Sequence, residues 1–125
     1  MDQHQQIIEL SEKLINYSES ALRRYEFSKQ EGTRGDFHTE VKPFADEVKE
    51  TAILWKEAAT NWVIEHKPKN LYPDPIETAA DYIEVTSVLA FFPETSKKRF
   101  LDQIQSVEFI LESLILAVEK VTQIK

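Results

Sequence analysis

Residues 100–121 read FLDQIQSVEFILESLILAVEKV, with Phe100, Ile104, Val107, Leu111, Leu114, Val118 and Val121 recurring at steps of four and three. Neither Gly nor Pro interrupts the run. An α-helix turns once per ~3.6 residues, so such steps stack side chains on one face and leave the other faces polar. A helix with one apolar edge is marginal alone in water and needs partner helices. This stretch therefore sets an all-α fold.

Three further helices are read outward from it by the same periodicity. The first spans about Gln3 to Lys29, with Ile7, Leu10, Leu14, Tyr17, Ala21 and Tyr25 facing the core. Gly32 and Gly35, the only glycines, then break the pattern. The second helix opens at Asp36, a good capping residue. Its expected core face is Phe37, Val41, Phe44, Val48, Ala52, Trp55, Ala59 and Trp62, with His66 at its edge. Pro43 lies inside this pattern, and a kinked continuous helix is expected there in preference to a start at Pro43. Lys67-Pro68-Lys69-Asn70-Leu71-Tyr72-Pro73 cannot be helical throughout. In Asp74-Pro75-Ile76-Glu77, Asp74 is the expected cap and Pro75 the first helical residue. That third helix runs to about Phe92 with Ile76, Ala80, Ile83, Ser87 and Ala90 inward, and Pro93 stops it. The fourth opens at Glu94 or Thr95. Short connections make successive helices antiparallel, so residues 1–125 are expected to form one up-down-up-down four-helix bundle.

Composition limits the chemistry. The chain has 125 residues, 22 acidic and 15 basic, for a formal net charge of -7. That balance argues against bulk binding to nucleic acid or anionic lipid. There is no cysteine, which removes disulfides, thiolate nucleophiles and zinc–thiolate sites. The polar start Met1–Gln6 and the absence of a long apolar run predict neither a signal peptide nor a membrane span, and so a cytoplasmic soluble protein.

Catalytic patterns are weak. No histidine among His4, His38 and His66 has Glu three residues before it, and no two stand four apart. The helical-bundle metal motifs are thus missing, and no cofactor is expected. Glu47 with Glu50, and Asp81 with Glu84, have the spacing of a Mg²⁺-dependent phosphohydrolase, but the second pair has the wrong order. Acids three apart on a helix usually form a solvated face. Trp55 and Trp62, seven apart, read as core.

One surface stands out. The bundle topology gathers the end of the first helix and the starts of the second and fourth. Arg23, Arg24, Arg34, His38, Lys97, Lys98 and Arg99 fall there, with Lys29 and Lys42 nearby and acids such as Glu26, Glu31, Asp36, Glu40 and Glu94 among them. Cations in the first turn of a helix oppose its dipole. Lys97-Lys98-Arg99 beside two helix N-termini is a candidate anion or acidic-partner site. The simpler reading is a set of solvated cations paired with the local acids.

Arg24-Tyr25, Asp36-Phe37, Lys42-Pro43, Trp55, Lys67-Pro68-Lys69 and Lys97-Lys98-Arg99-Phe100 occur in this order across most of the chain. In these motifs and their spacing it resembles the YppE-like family, small bacterial proteins of unknown function. The resemblance implies a four-helix bundle and implies no reaction, cofactor or catalytic residue. The expectation is therefore a non-enzymatic binding or adaptor protein whose partner is a protein or a small anion, monomeric or weakly dimeric. A phosphohydrolase using Glu47, Glu50, Asp81 and Glu84 is the alternative. A third reading is a homo-oligomer joined through Leu54, Ile64, Val85, Phe109 and Ile110, which lie off the main core faces.

Overall fold

In a computed structural model, which describes residues 2–123, four α-helices follow one another: α1 (Gln3–Glu31), α2 (Lys42–His66), α3 (Pro73–Leu89) and α4 (Lys97–Gln123). A π-helical turn, Phe37–Val41, leads directly into α2. Each helix packs on its neighbours in sequence, and α1 closes the ring against α4. The up-down-up-down bundle is as the periodicity predicts. No helix among the described residues is long and apolar enough to cross a membrane.

The ladder of α4 forms the spine of the core. Phe100, Ile104, Val107, Leu111, Leu114 and Val118 are buried, and Val121 is half-buried at the far end. Trp55, Trp62, Ile7, Leu14, Ile76 and Ile83 meet it from the other helices. Among the off-face apolar residues, Leu54, Ile64, Val85 and Phe109 are exposed and Ile110 is half-buried.

Three serines of α1 are buried although periodicity in apolar residues does not mark them. Ser11 accepts the indole N–H of Trp55 at 2.9 Å, Ser18 donates to Ile15 O and lies 3.1 Å from Glu108 Oε2, and Ser28 donates to Ala90 O at 2.9 Å. Small side chains let the neighbouring helices come close, and each hydroxyl satisfies a partner that burial would otherwise strand.

Local corrections to the expected boundaries have physical causes. The segment from Phe37 into α2 is continuous, as expected, but it starts in a π turn. Val41 N–H bonds Asp36 O at 3.0 Å, a five-residue step. Pro43 has no N–H and its ring would crowd the carbonyl of Thr39 in a regular helix, so the wider turn relieves it. The extra residue in that turn shifts the helical phase by about 100°. Phe37, expected in the core, is consequently 58% exposed.

At the start of α3 the cap is Tyr72, not Asp74. Pro73 and Pro75 both fit the first turn, where an N–H has no intrahelical acceptor. At its end, α3 stops at Leu89 rather than Phe92, and α4 begins at Lys97 rather than Glu94 or Thr95. Pro93 excludes helical geometry from the residue before it. The intervening turn is used for anchoring: Thr95 Oγ1 donates to Leu89 O, and Thr95 O accepts the Tyr25 hydroxyl at 2.7 Å.

Gly32 caps α1 in the left-handed region at φ 67°, with its N–H on Ser28 O. Gly35 is fixed by space instead. A Cβ there would stand 2.5 Å from Phe91 Cδ1 and 2.8 Å from Glu40 Oε2.

Candidate anion or partner surface

The basic end is built from the last turns of α1, the π turn, the α3–α4 connection and the first turn of α4. Tyr25 ties these together. Its ring stacks on Phe100 at 4.3 Å and its hydroxyl holds the connection at Thr95. Ser28 and Gly35 add bonds to Ala90 and Phe91. The first turn of α4 is therefore braced against the end of α1.

The structure divides the seven sequence-predicted residues among separate positions. Arg24 is the most enclosed, with a side chain 20% exposed. Its guanidinium lies 4.8 Å from the Phe27 ring centre and 5.0 Å from that of Phe91, and it bonds Glu40 Oε2 at 3.1 Å. Glu40 Oε2 also accepts the Asp36 N–H at 3.1 Å. Arg24 thus positions the π turn through Glu40, a role that neither residue's spacing signals in the sequence. Arg34 pairs with Glu94 at 2.9 Å and lies over Phe92. Arg23 reaches Ser20 Oγ, and His38 meets the edge of Phe37. Lys97 lines a cleft between α1 and α4 with Leu22, Tyr25 and Leu101.

Lys98 and Arg99 line a different groove, between α3 and α4, with Tyr82, Ser96, Asp102 and Gln103. Lys98 pairs with Asp102 at 3.0 Å, both exposed. Such pairs contribute about 0–1 kcal/mol. Arg99 is exposed and makes no ion pair among the described residues. Ser96 Oγ accepts the Arg99 N–H. The N–H groups of Lys97 and Lys98, like others in a first helical turn, have no intrahelical acceptor. The positive pole of α4 and the Arg99 guanidinium thus face one region.

Asp36 carries the clearest titration signature. Its carboxylate accepts the backbone N–H and the hydroxyl of Thr39 at 2.9 and 3.0 Å, and these bonds hold its pKa below the usual aspartate range. A lowered folded pKa gives stabilisation that is complete above the unfolded value, about pH 4, and is lost as pH falls through the folded value. Thermal melts of wild type and Asp36→Ala should accordingly show a constant gap from neutral pH down to about pH 4 and a narrowing gap below it.

The opposite end holds an arrangement that sequence spacing concealed. Trp62 donates its indole N–H to His4 Nδ1 at 3.0 Å, His66 stacks on Trp62 at 4.6 Å, and the two imidazole centres are 5.4 Å apart. Two helices bring these histidines together, so no motif within one helix reveals them. Glu47, Glu50 and Asp81 are exposed and Glu84 is half-exposed. Among the described residues no three His, Asp or Glu side chains gather closely enough to hold a metal ion. The donors for the phosphohydrolase alternative are not assembled, and that alternative is not favoured.

Fold and surface together define a small helical bundle with a braced basic end. Residues 11–118 match the model of a bacterial domain of unknown function, DUF1798. The chain belongs to this family. It is similar to the uncharacterized protein YppE of Bacillus subtilis, 28% identical over 110 residues, which is 88% of this chain and 89% of that one. A Listeria innocua protein of unknown function superimposes with a TM-score of 0.92 at 28% identity, covering 97% of each chain. The crystal structure of B. subtilis YppE gives 0.90 at 26% identity, covering 95% of this chain and 97% of that one. A Staphylococcus aureus member of the same family gives 0.82 at 25% identity, covering 90% and 95%.

Proposed function

We propose that this protein works by binding, as a small cytoplasmic adaptor whose basic end takes an anionic group of a partner or a small anion. The observation that carries this reading is the start of α4. Arg99 is exposed and without an ion pair among the described residues, and it stands beside first-turn amides that lack intrahelical acceptors. Charge and dipole act in the same direction there. Cations opposed to a helix dipole weaken the helix slightly, and an arriving anion offsets that cost.

Thermal melts test the reading. Ligand that binds only the folded state raises the melting temperature by mass action. Sulfate should raise Tm of wild type above that in chloride at matched ionic strength. Lys98→Glu/Arg99→Glu should shrink the difference to the general stabilisation that sulfate gives a folded protein by exclusion from its surface, while leaving the helical circular dichroism intact. A sulfate–chloride difference of the same size in wild type and variant contradicts the proposal.

A further inference from the structure

Two histidines meet Trp62 at the end of the bundle opposite the basic surface, and their bonds to it make opposite demands. An indole N–H only donates. His4 Nδ1, 3.0 Å from it, therefore accepts through a bare lone pair, and the proton of the neutral ring sits on Nε2. A carbonyl oxygen only accepts. His66 Nδ1, 3.1 Å from Trp62 O, therefore carries a hydrogen and donates. Protonation acts differently at the two rings. His66 takes its proton on Nε2 and keeps its bond. It is the last residue of α2, where the negative helix pole favours a cation. His4 can take its proton only on Nδ1. One N–H then points at another, and the bond to Trp62 is lost.

From this geometry we infer that the start of α1 is an acid-released latch, docked on Trp62 while His4 is neutral and freed when His4 is protonated. The surroundings of His4 act in the same direction. It lies in the first turn of α1, at the positive pole, where a cation is disfavoured. The centre of the His66 ring is 5.4 Å away, so two imidazolium ions repel each other. The acids at this end are Asp2 on α1, Glu65 on α2, Asp74 and Glu77 on α3 and Glu119 on α4, and the lysines are Lys67, Lys69 and Lys120. Among the described residues no carboxylate is within ion-pair distance of either imidazole. Asp2 Oδ1 accepts the His4 backbone N–H at 3.3 Å, and Glu77 is paired with Lys56. Trp62 is fully buried, so an indole N–H left without His4 destabilises the docked turn. Histidine side chains change charge between about pH 5 and pH 8, and the bond is lost as pH falls through that range. The latch lies opposite the anion surface and stands whether or not that surface binds.

NMR of the indole N–H groups in the full chain tests this, with Trp55 as an internal standard. The Trp55 N–H is bonded to Ser11 Oγ, which does not titrate. From about pH 8 to about pH 5, the Trp62 indole N–H should shift and follow the protonation of the His4 ring, read from its carbon-bound protons. After correction for the intrinsic exchange rate, its protection from solvent should fall about tenfold, with Trp55 unchanged. His4→Asn keeps an acceptor near the Nδ1 position and does not titrate, so the Trp62 transition should disappear. His66→Phe keeps an aromatic ring on Trp62 and should retain the transition. A Trp62 signal that is constant over this range in wild type overturns the latch, whether or not the His4 ring titrates. A transition shared by Trp55 reports global unfolding and overturns it too. So does a transition that persists in His4→Asn or vanishes in His66→Phe.

Discussion

Trp55→Ala should lower stability by about 3–5 kcal/mol, the cost of emptying a large buried aromatic site. Trp55 is fully buried in the middle of α2, and its indole N–H is taken by Ser11 across the α1–α2 interface. The truncation therefore removes apolar contact from the main core and strands the Ser11 hydroxyl. Against a typical total of 5–15 kcal/mol, that loss is a large fraction of stability. Urea titration should show a lower midpoint with little change in slope. Trp55→Phe should cost clearly less, because most of the volume remains and only the hydrogen bond to Ser11 goes. Equal losses for the two variants would mean that the hydrogen bond, not packing, dominates at this site.

Phe100→Ala should be comparably severe, again about 3–5 kcal/mol, but with a second, local consequence. Phe100 is fully buried at the head of the α4 ladder and stacks on Tyr25 at 4.3 Å. Tyr25 in turn holds Thr95. Removing the ring takes away the brace that fixes the first turn of α4. Amide exchange at Arg99 and at residue 100, whose N–H groups bond Ser96 Oγ and Ser96 O, should accelerate beyond what global destabilisation explains, whereas Trp55→Ala, farther along the core, should accelerate exchange there only in step with global stability. If both variants affect those amides equally, the Tyr25–Phe100 contact is not what orders the basic turn.

How far the sequence reveals this molecule differs from element to element. The α4 ladder, the Trp55 and Trp62 core positions and the bundle topology are legible because they rest on period and on large apolar volumes. Phe37 is misread because Pro43 forces a wider turn, and one extra residue per turn rotates everything N-terminal to it. Ser11, Ser18 and Ser28 are invisible to a hydrophobicity pattern, since their burial depends on partners from other helices. The boundaries around Pro73 and Pro93 shift by a few residues because prolines tolerate a first turn and forbid the residue before them from being helical. Of the surface residues, the sequence identifies the basic end from topology. It does not reveal that Arg24 is enclosed by Phe27, Phe91 and Glu40, or that Lys98 and Arg99 open onto the α3–α4 groove. Those facts arise from which helix faces which. The His4–Trp62–His66 cluster escapes notice for the same reason.

The proposed function places an anion site at the first turn of α4. Amide-resolved NMR of the full chain, titrated with sulfate against chloride at constant ionic strength, tests it most directly. Saturable shifts are expected to concentrate on the backbone N–H groups of Lys97 and Lys98 and on the Arg99 guanidinium, and to be absent in Lys98→Glu/Arg99→Glu. Shifts spread over the lysines and arginines of the whole surface, or none at residues 97–99, would contradict it.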